Sequence, residues 1–242
     1  MSFFNGLYPY EILLMVLGCV LFLVLLFAFV GMMVKGKAYA GLLPFFVLSI
    51  VMIGYPSIQS FKYKDGEIEV DKQTQQLLKD PTNRQVRQSL ETEVSVLSKR
   101  PAQRAETAVT LAKAQFALGK QQEAESNLQK ALQASPGLPA AQALKQKIEL
   151  TNKMRALTSH VEASPEDTAA KAELENTVTQ VNKIGVANPE TLTEMANAYK
   201  VLGKHDQALV TVDKALAINP TSPAATHVKA DIKAAQSEPI HR

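Results

Sequence analysis

Two long apolar runs open the chain. Ile12 to Val34 holds 23 residues without a charge, and after Lys35-Gly36-Lys37 the stretch Ala38 to Ile58 adds 21 more. At about 1.5 Å of rise per residue, either run is long enough as a helix to cross a hydrocarbon core of roughly 30 Å. Two transmembrane helices joined by a tight turn are therefore predicted, with spans at about 12–34 and 38–58. Pro44 falls in the first turns of the second run, where a missing amide costs least. A cleaved signal peptide is the competing reading of the first run. Against it, no Lys or Arg precedes Ile12, the apolar core is longer than about 7–15 residues, and no small-residue cleavage site follows.

Beyond residue 60 the pattern turns to helical spacing. The segment 61–80 is a juxtamembrane linker in which SIQSFKY and EIEV alternate apolar and polar residues around Asp65-Gly66. That pattern predicts either a short β-hairpin or an irregular linker entering a helix at Glu67. Gln73 to Leu78 already reads as helix. Asp80-Pro81, Asn188-Pro189 and Ser222-Pro223 each set a capping residue before a proline, and Ser164-Pro165-Glu166-Asp167 suits a capping box. Helices are expected from about 81, 102, 139, 165, 189 and 223, with two more after Gly119 and Gly203. The helix from Pro139 to about Val161 carries an apolar stripe of Leu144, Ile148, Leu150, Met154, Leu157 and Val161. A partner helix runs from Pro165 to about Ile184, and a final helix from Pro223 to Gln236 closes the chain with a polar outer face. No segment past the possible hairpin favours strands, so the soluble part is expected to be all-α.

Inside it a block recurs after 84 residues: ALGKQQEAESNLQKALQASPGLPAA returns as VLGKHDQALVTVDKALAINPTSPAA. Gly119 pairs with Gly203, Ala124 with Ala208, Ala131 with Ala215 and Pro136 with Pro220. The blocks resemble the tetratricopeptide repeat, a helix–turn–helix unit of about 34 residues. In the first, the residues carrying the likeness are Ala108, Leu111, Ala112, Gly119, Ala124, Leu128, Ala131 and Pro136. In the second they are Leu192, Met195, Ala196, Tyr199, Gly203, Ala208, Val212, Ala215 and Pro220. Small residues at Ala112, Ala124 and Ala131, and at Ala196, Ala208 and Ala215, let antiparallel helices approach closely. The first block departs at Ala108 and Gln115, where the family prefers large aromatic residues.

The expected layout is an anchor at 1–60, the linker at 61–80, and an α-solenoid at 81–242. Within the solenoid, clear repeats span 105–138 and 189–222, a degenerate pair spans 139–188, and 223–236 caps the stack. The resemblance implies a concave face lined by the first helix of each pair, which grips an extended peptide or a helix of a partner protein. Carried onto this chain, the inward positions are Val109, Thr110, Lys113 and Phe116, and then Thr193, Glu194, Asn197 and Lys200. Lys113, Phe116, Thr193, Asn197 and Lys200 are the candidate partner-binding residues. Thr193 stands where a carboxylate clamp would use lysine.

Charge and composition exclude other classes. After residue 60 come 24 of the 26 basic and 22 of the 23 acidic residues, a net charge of +2 that offers no field for nucleic acid. Cys19 is the single cysteine, so neither an intramolecular disulfide nor a cysteine zinc site can form. Gly119-Lys120 and Gly203-Lys204 lack the remainder of a phosphate loop. His160, His205, His227 and His241 have no metal-ligand spacing, and Asp65, Glu67, Glu69 and Asp71 lack the glycine and distal Glu of a calcium loop. No nucleophile motif occurs. The expectation is a non-enzyme with no cofactor, no metal and no small-molecule substrate, whose partners are a protein and a lipid bilayer.

Lys35 and Lys37 put the short loop in the cytoplasm and the soluble domain outside a bacterial-type inner membrane, whereas Lys62, Lys64, Lys72 and Lys79 argue the reverse. The balance favours the outside. Two spans followed by a repeat domain also resemble, in layout, the cytochrome c maturation subunit that presents apocytochrome for haem ligation, an assembly-factor role. The alternative to a scaffold is a structural accessory subunit of a transporter or respiratory complex, in which the transmembrane pair is the working part. Gly18, Gly31, Gly36, Gly41 and Gly54 are small enough to let other spans pack closely.

Overall fold

The computed structural model describes residues 7–35, 40–100, 104–185 and 188–237. Among these the chain is all-α, with ten helices and one 3₁₀ turn (Ala40–Leu42). In order they are α1 (Pro9–Val34), α2 (Leu43–Lys79), α3 (Arg84–Ser98), α4 (Ala105–Leu118), α5 (Gln121–Ala134), α6 (Pro139–Ala163), α7 (Thr168–Lys183), α8 (Pro189–Val201), α9 (His205–Ile218) and α10 (Pro223–Ser237). The helix start expected near residue 102 and most of the Lys35–Lys37 turn lie outside the described residues.

Residues fall into two compact units. The first holds residues 1–69 and 95–104, and the second holds 70–94 and 105–242. In the first, α1 and the early part of α2 are each long and apolar enough to cross a bilayer, and only 11% of either apolar stretch is buried. They meet at Gly18, where a Cβ would stand 2.9 Å from Met52 Cβ and 3.2 Å from the Ser49 carbonyl oxygen. Glycine is what permits that approach. Nothing lies within 4 Å of a Cβ at Gly31, Gly41 or Gly54. Phe46 stacks edge-on against Phe22 at 5.7 Å and Phe29 at 6.3 Å.

A polar cluster closes one end of this unit. Glu11, fully buried, accepts from the Tyr8 amide at 2.9 Å and from Arg100 Nη1 at 3.1 and 3.4 Å. Arg100 also donates to Gln59 Oε1 at 3.1 Å and lies 5.5 Å over the Tyr8 ring, while the Tyr8 hydroxyl donates to the Lys99 carbonyl at 2.6 Å. A buried carboxylate needs such partners, because an unpaired charge away from water is costly.

The expected β-hairpin at Asp65-Gly66 does not form, and neither does an irregular linker: α2 runs unbroken through both residues to Lys79. Val70, Thr74 and Leu77 are buried at helical spacing, while Ile68 is 59% exposed. Burial of that face outweighs the penalty of about 1 kcal/mol for one interior glycine. Pro81 and Pro165 do not begin helices either. Asn83 caps α3 by accepting from the Val86 amide at 3.1 Å, and Asp167 caps α7 by accepting from Ala170 at 2.9 Å. Each proline instead occupies the turn just before its cap. Asn188 and Ser222 cap α8 and α10 as expected.

In the second unit α4–α5, α6–α7 and α8–α9 are packed pairs, with α6 resting against α4, α5 and α8, and α10 against α8 and α9. The end of α2 joins this unit, and Gln73 Nε2 donates to Ser89 Oγ of α3 at 2.9 Å. The two clear pairs turn identically. Gly119 (φ +87°) and Gly203 (φ +73°) take the left-handed conformation. Lys120 N donates to Gln115 O at 2.8 Å and Lys204 N to Tyr199 O at 2.9 Å, the closing bonds of a Schellman motif. Ala112, Ala124, Ala131, Ala196, Ala208 and Ala215 are all fully buried, which is where the helices come closest. Gln115 is also buried, and its amide oxygen accepts from Asn127 Nδ2 at 2.8 Å, so a polar pair fills the place of the family's aromatic. In the long middle pair, Leu144, Ile148, Met154 and Val161 are buried together with Thr151 and Thr158, while Leu150 and Leu157 lie at the edge.

Candidate functional site

Two of the five candidate binding residues come together. Lys113 and Phe116 of α4 line a cavity of about 260 Å³ whose other walls are the end of α2, the first turns of α6, and Gly185 and Asn188. Its surface is mostly apolar: Phe116 and Leu144 are buried at its base, and Leu78 stands 52% exposed at its edge. Ala117, Ala140 and Ala143 also line it, and their short side chains leave the space open. The polar groups contributed by α2 are already engaged. Thr74 Oγ1 donates to the Val70 carbonyl at 2.7 Å, and Asp71 accepts from Gln75 Nε2 at 2.8 Å. The half-buried Lys113 and Lys147 are different, since neither forms an ion pair among the described residues.

The other three residues sit elsewhere. Thr193 is buried, donates to the Pro189 carbonyl at 2.8 Å, and lines a separate cleft of about 720 Å³ at the starts of α5, α8 and α10. Within that cleft Arg155 bridges Glu194 at 2.9 Å and reaches Gln121 Oε1 at 3.4 Å. Burial raises the Glu190 carboxyl above the usual carboxylate range. Arg155 opposes that shift, and Glu123 and Glu194 add to it. Asn197 and Lys200 line neither cavity. Lys200 is only 17% exposed and spans Glu162 of α6 (3.4 Å) and Asp231 of α10 (3.6 Å), so its charge ties three helices together. Asn197 is half-buried, and its Oδ1 has no hydrogen-bond partner among the described residues.

Sequence reading missed Lys147, Leu78 and Thr74. The signal for Lys147 was present, because Ala140, Ala143, Leu144 and Lys147 follow helical spacing along one face of α6. Thr74 and Leu78 fall in the stretch Gln73–Leu78 that reads as helix, but nothing local says what that helix packs against. No group of three or more His, Cys, Asp or Glu among the described residues is placed to hold a metal.

The repeated pairs, the identical glycine turns and the alanine contacts mark the same unit twice. The tetratricopeptide-repeat model matches residues 105–137 and 189–222. The chain carries two tetratricopeptide repeats. The matched repeats are α4–α5 and α8–α9, and the pair α6–α7 between them lies outside the match. No curated protein and no solved structure matches the chain. Tetratricopeptide repeats support a role in binding other proteins. The cavity against α4 lies partly within the first matched repeat, and α2 and α6 complete it from outside.

Proposed function

We propose that this protein is a non-catalytic scaffold, anchored in a membrane by α1 and the early part of α2, which holds a partner protein at that membrane during assembly of an envelope complex. The observation that carries the reading is the pairing of a tetratricopeptide-repeat unit, whose cavity has apolar walls and two unengaged lysines, with two helices of spanning length. All but four of the exposed large apolar side chains among the described residues lie between Tyr10 and Phe61, the exceptions being Ile68, Leu78, Val96 and Val210. Apolar surface on that scale belongs in lipid or against other spans. Tethering confines the repeat unit to a thin layer and raises its effective concentration there, so modest affinity suffices.

A photoreactive residue at Leu78 in intact membranes tests this. The scaffold reading expects a discrete protein adduct from position 78 and none from Ser126, an exposed position on α5. Matching adducts from both sites, or none from either, count against it. The accessory-subunit alternative draws support from the open surface at Gly31 and Gly54. It predicts that exchanging the transmembrane pair for an unrelated one abolishes assembly even where the repeats are intact. For sidedness, Cys19→Ser with Ser126→Cys should react with a membrane-impermeant maleimide in intact spheroplasts if the repeat unit faces outward.

A further inference from the structure

We infer that the end of α3 returns to the bilayer surface, where Lys99 joins Lys62 and Lys64 in holding the headgroups of anionic lipids; this deepens the membrane-anchored reading and rests on it.

Depth comes first. Glu11 and Val34 lie about 34 Å apart along the axis of α1, against roughly 30 Å of hydrocarbon. With Val34 and the turn after it at one edge, Glu11 reaches the other. Arg100 joins Glu11 (3.1 Å) to Gln59 (3.1 Å), so α2 crosses that same level at Gln59. The headgroup layer adds about 5–7 Å on each side. Lys62 and Lys64 follow Gln59 by about 4 and 7 Å of helix and fall inside that layer. The acids Asp65, Glu67 and Glu69 begin about 9 Å out, beyond it.

Lys99 comes from far along the chain. Its carbonyl accepts from the Tyr8 hydroxyl at 2.6 Å, and Tyr8 directly precedes α1. The Lys99 side chain is exposed, as are those of Lys62 and Lys64. What brings it to this depth is the contact of Arg100 with Glu11, and that fully buried carboxylate is already spent on Arg100. Exposed rings identify the occupant. Tyr10, Tyr55 and Phe61 all stand open within about a turn of the same level, and Tyr8 stacks on Tyr10 at 5.5 Å. Such rings belong at the boundary of lipid and water, which favours a lipid surface over an acidic protein. Cations held at that boundary are drawn to an anionic leaflet. The chain thereby gains a second hold on the bilayer, 41 positions after Gln59.

Fluorescence quenching provides the test. The chain contains no tryptophan, so Phe61→Trp is a single reporter at the headgroup level and Val24→Trp is one near the bilayer centre. Each full-length variant is reconstituted in vesicles of phosphatidylcholine with one phosphatidylglycerol in five, bromine being carried by one lipid or the other. Val24→Trp should be quenched by either. Phe61→Trp should be quenched at least threefold more per bromolipid when the anionic lipid carries the bromine. Lys99→Gln alone should lower that ratio at least 1.5-fold. Lys62→Gln, Lys64→Gln and Lys99→Gln together should bring it to about one with unchanged helicity, and so should about 0.5 M salt without any lysine substitution. Excess inorganic phosphate at constant ionic strength should leave the ratio as it was. A ratio of one with all three lysines present, a ratio indifferent to Lys99→Gln, or a ratio abolished by phosphate overturns the inference. If Val24→Trp is quenched in that event, the anchor reading stands and only the headgroup chemistry is wrong; if it is not, both fall.

Discussion

Removing Arg100 should loosen the end of the first unit more than any other single surface-reaching change there. The guanidinium sits 3.1 Å from a Glu11 carboxylate that is 1% exposed, while Arg100 itself is 22% exposed. At an effective dielectric near 20 the attraction at such a distance is about 5 kcal/mol, and desolvation of both ions offsets much of it. Truncating one partner of a buried pair typically costs about 3–5 kcal/mol, because the other charge is left behind. Partial exposure of Arg100 puts Arg100→Ala at the lower end, about 3 kcal/mol. Glu11 would retain the Tyr8 amide, and the Arg100 contacts to Gln59 and Tyr8 would be lost. Glu11→Ala with Arg100→Ala should recover about 2 kcal/mol of the summed single-variant losses, since no buried charge remains. Hydrogen exchange on the full chain in nanodiscs reads this at the Ile12 and residue-100 amides, which bond to the Tyr8 and Leu97 carbonyls. A loss of 3 kcal/mol appears there as roughly 100-fold faster exchange. Exchange less than about threefold faster, or strictly additive single and double variants, would refute the reasoning.

Three further outcomes follow from the second unit. Asn188→Ala removes a buried side chain that accepts from the Thr191 amide at 2.8 Å, and should cost about 1 kcal/mol in urea unfolding. Ala208→Leu adds volume at a fully buried contact with the α8–α9 core, and overpacking of about 1–3 kcal/mol should show as a lowered Tm. Glu190→Gln should stabilise at pH 7. The Glu190 carboxyl is raised by burial, so its favourable contribution is complete below the ordinary carboxylate range and is lost as pH rises through its elevated value. The Tm advantage of the Gln variant should therefore shrink to nothing as pH falls below about 4; an advantage that holds constant with pH contradicts that cause.

What sequence could reveal was decided by how local each signal is. The glycine turns at 119 and 203 and the alanines at 112, 124, 131, 196, 208 and 215 carry their meaning within one helix pair, so the repeats and the all-α class were readable. Asp65-Gly66 misled because its turn preference is local, whereas the burial of Val70, Thr74 and Leu77 that keeps α2 helical depends on the folded second unit. Pro81 and Pro165 marked the right interruptions but not the caps, which fall to Asn83 and Asp167. Lys200 read as a free groove cation because Glu162 and Asp231 lie 38 and 31 positions away in sequence. Lys147 went unnoticed for the converse reason. It forms no ion pair among the described residues, a property that only the packed helices define.

The most direct measurement is the yield of the adduct from a photoreactive group at Leu78 in intact membranes, compared between the native chain and the Lys113→Glu, Lys147→Glu variant at equal expression. A docking cavity at the junction of α2, α4 and α6 predicts a discrete protein adduct that falls at least tenfold in the variant. An adduct of undiminished yield, or one that forms equally from Ser126, contradicts it.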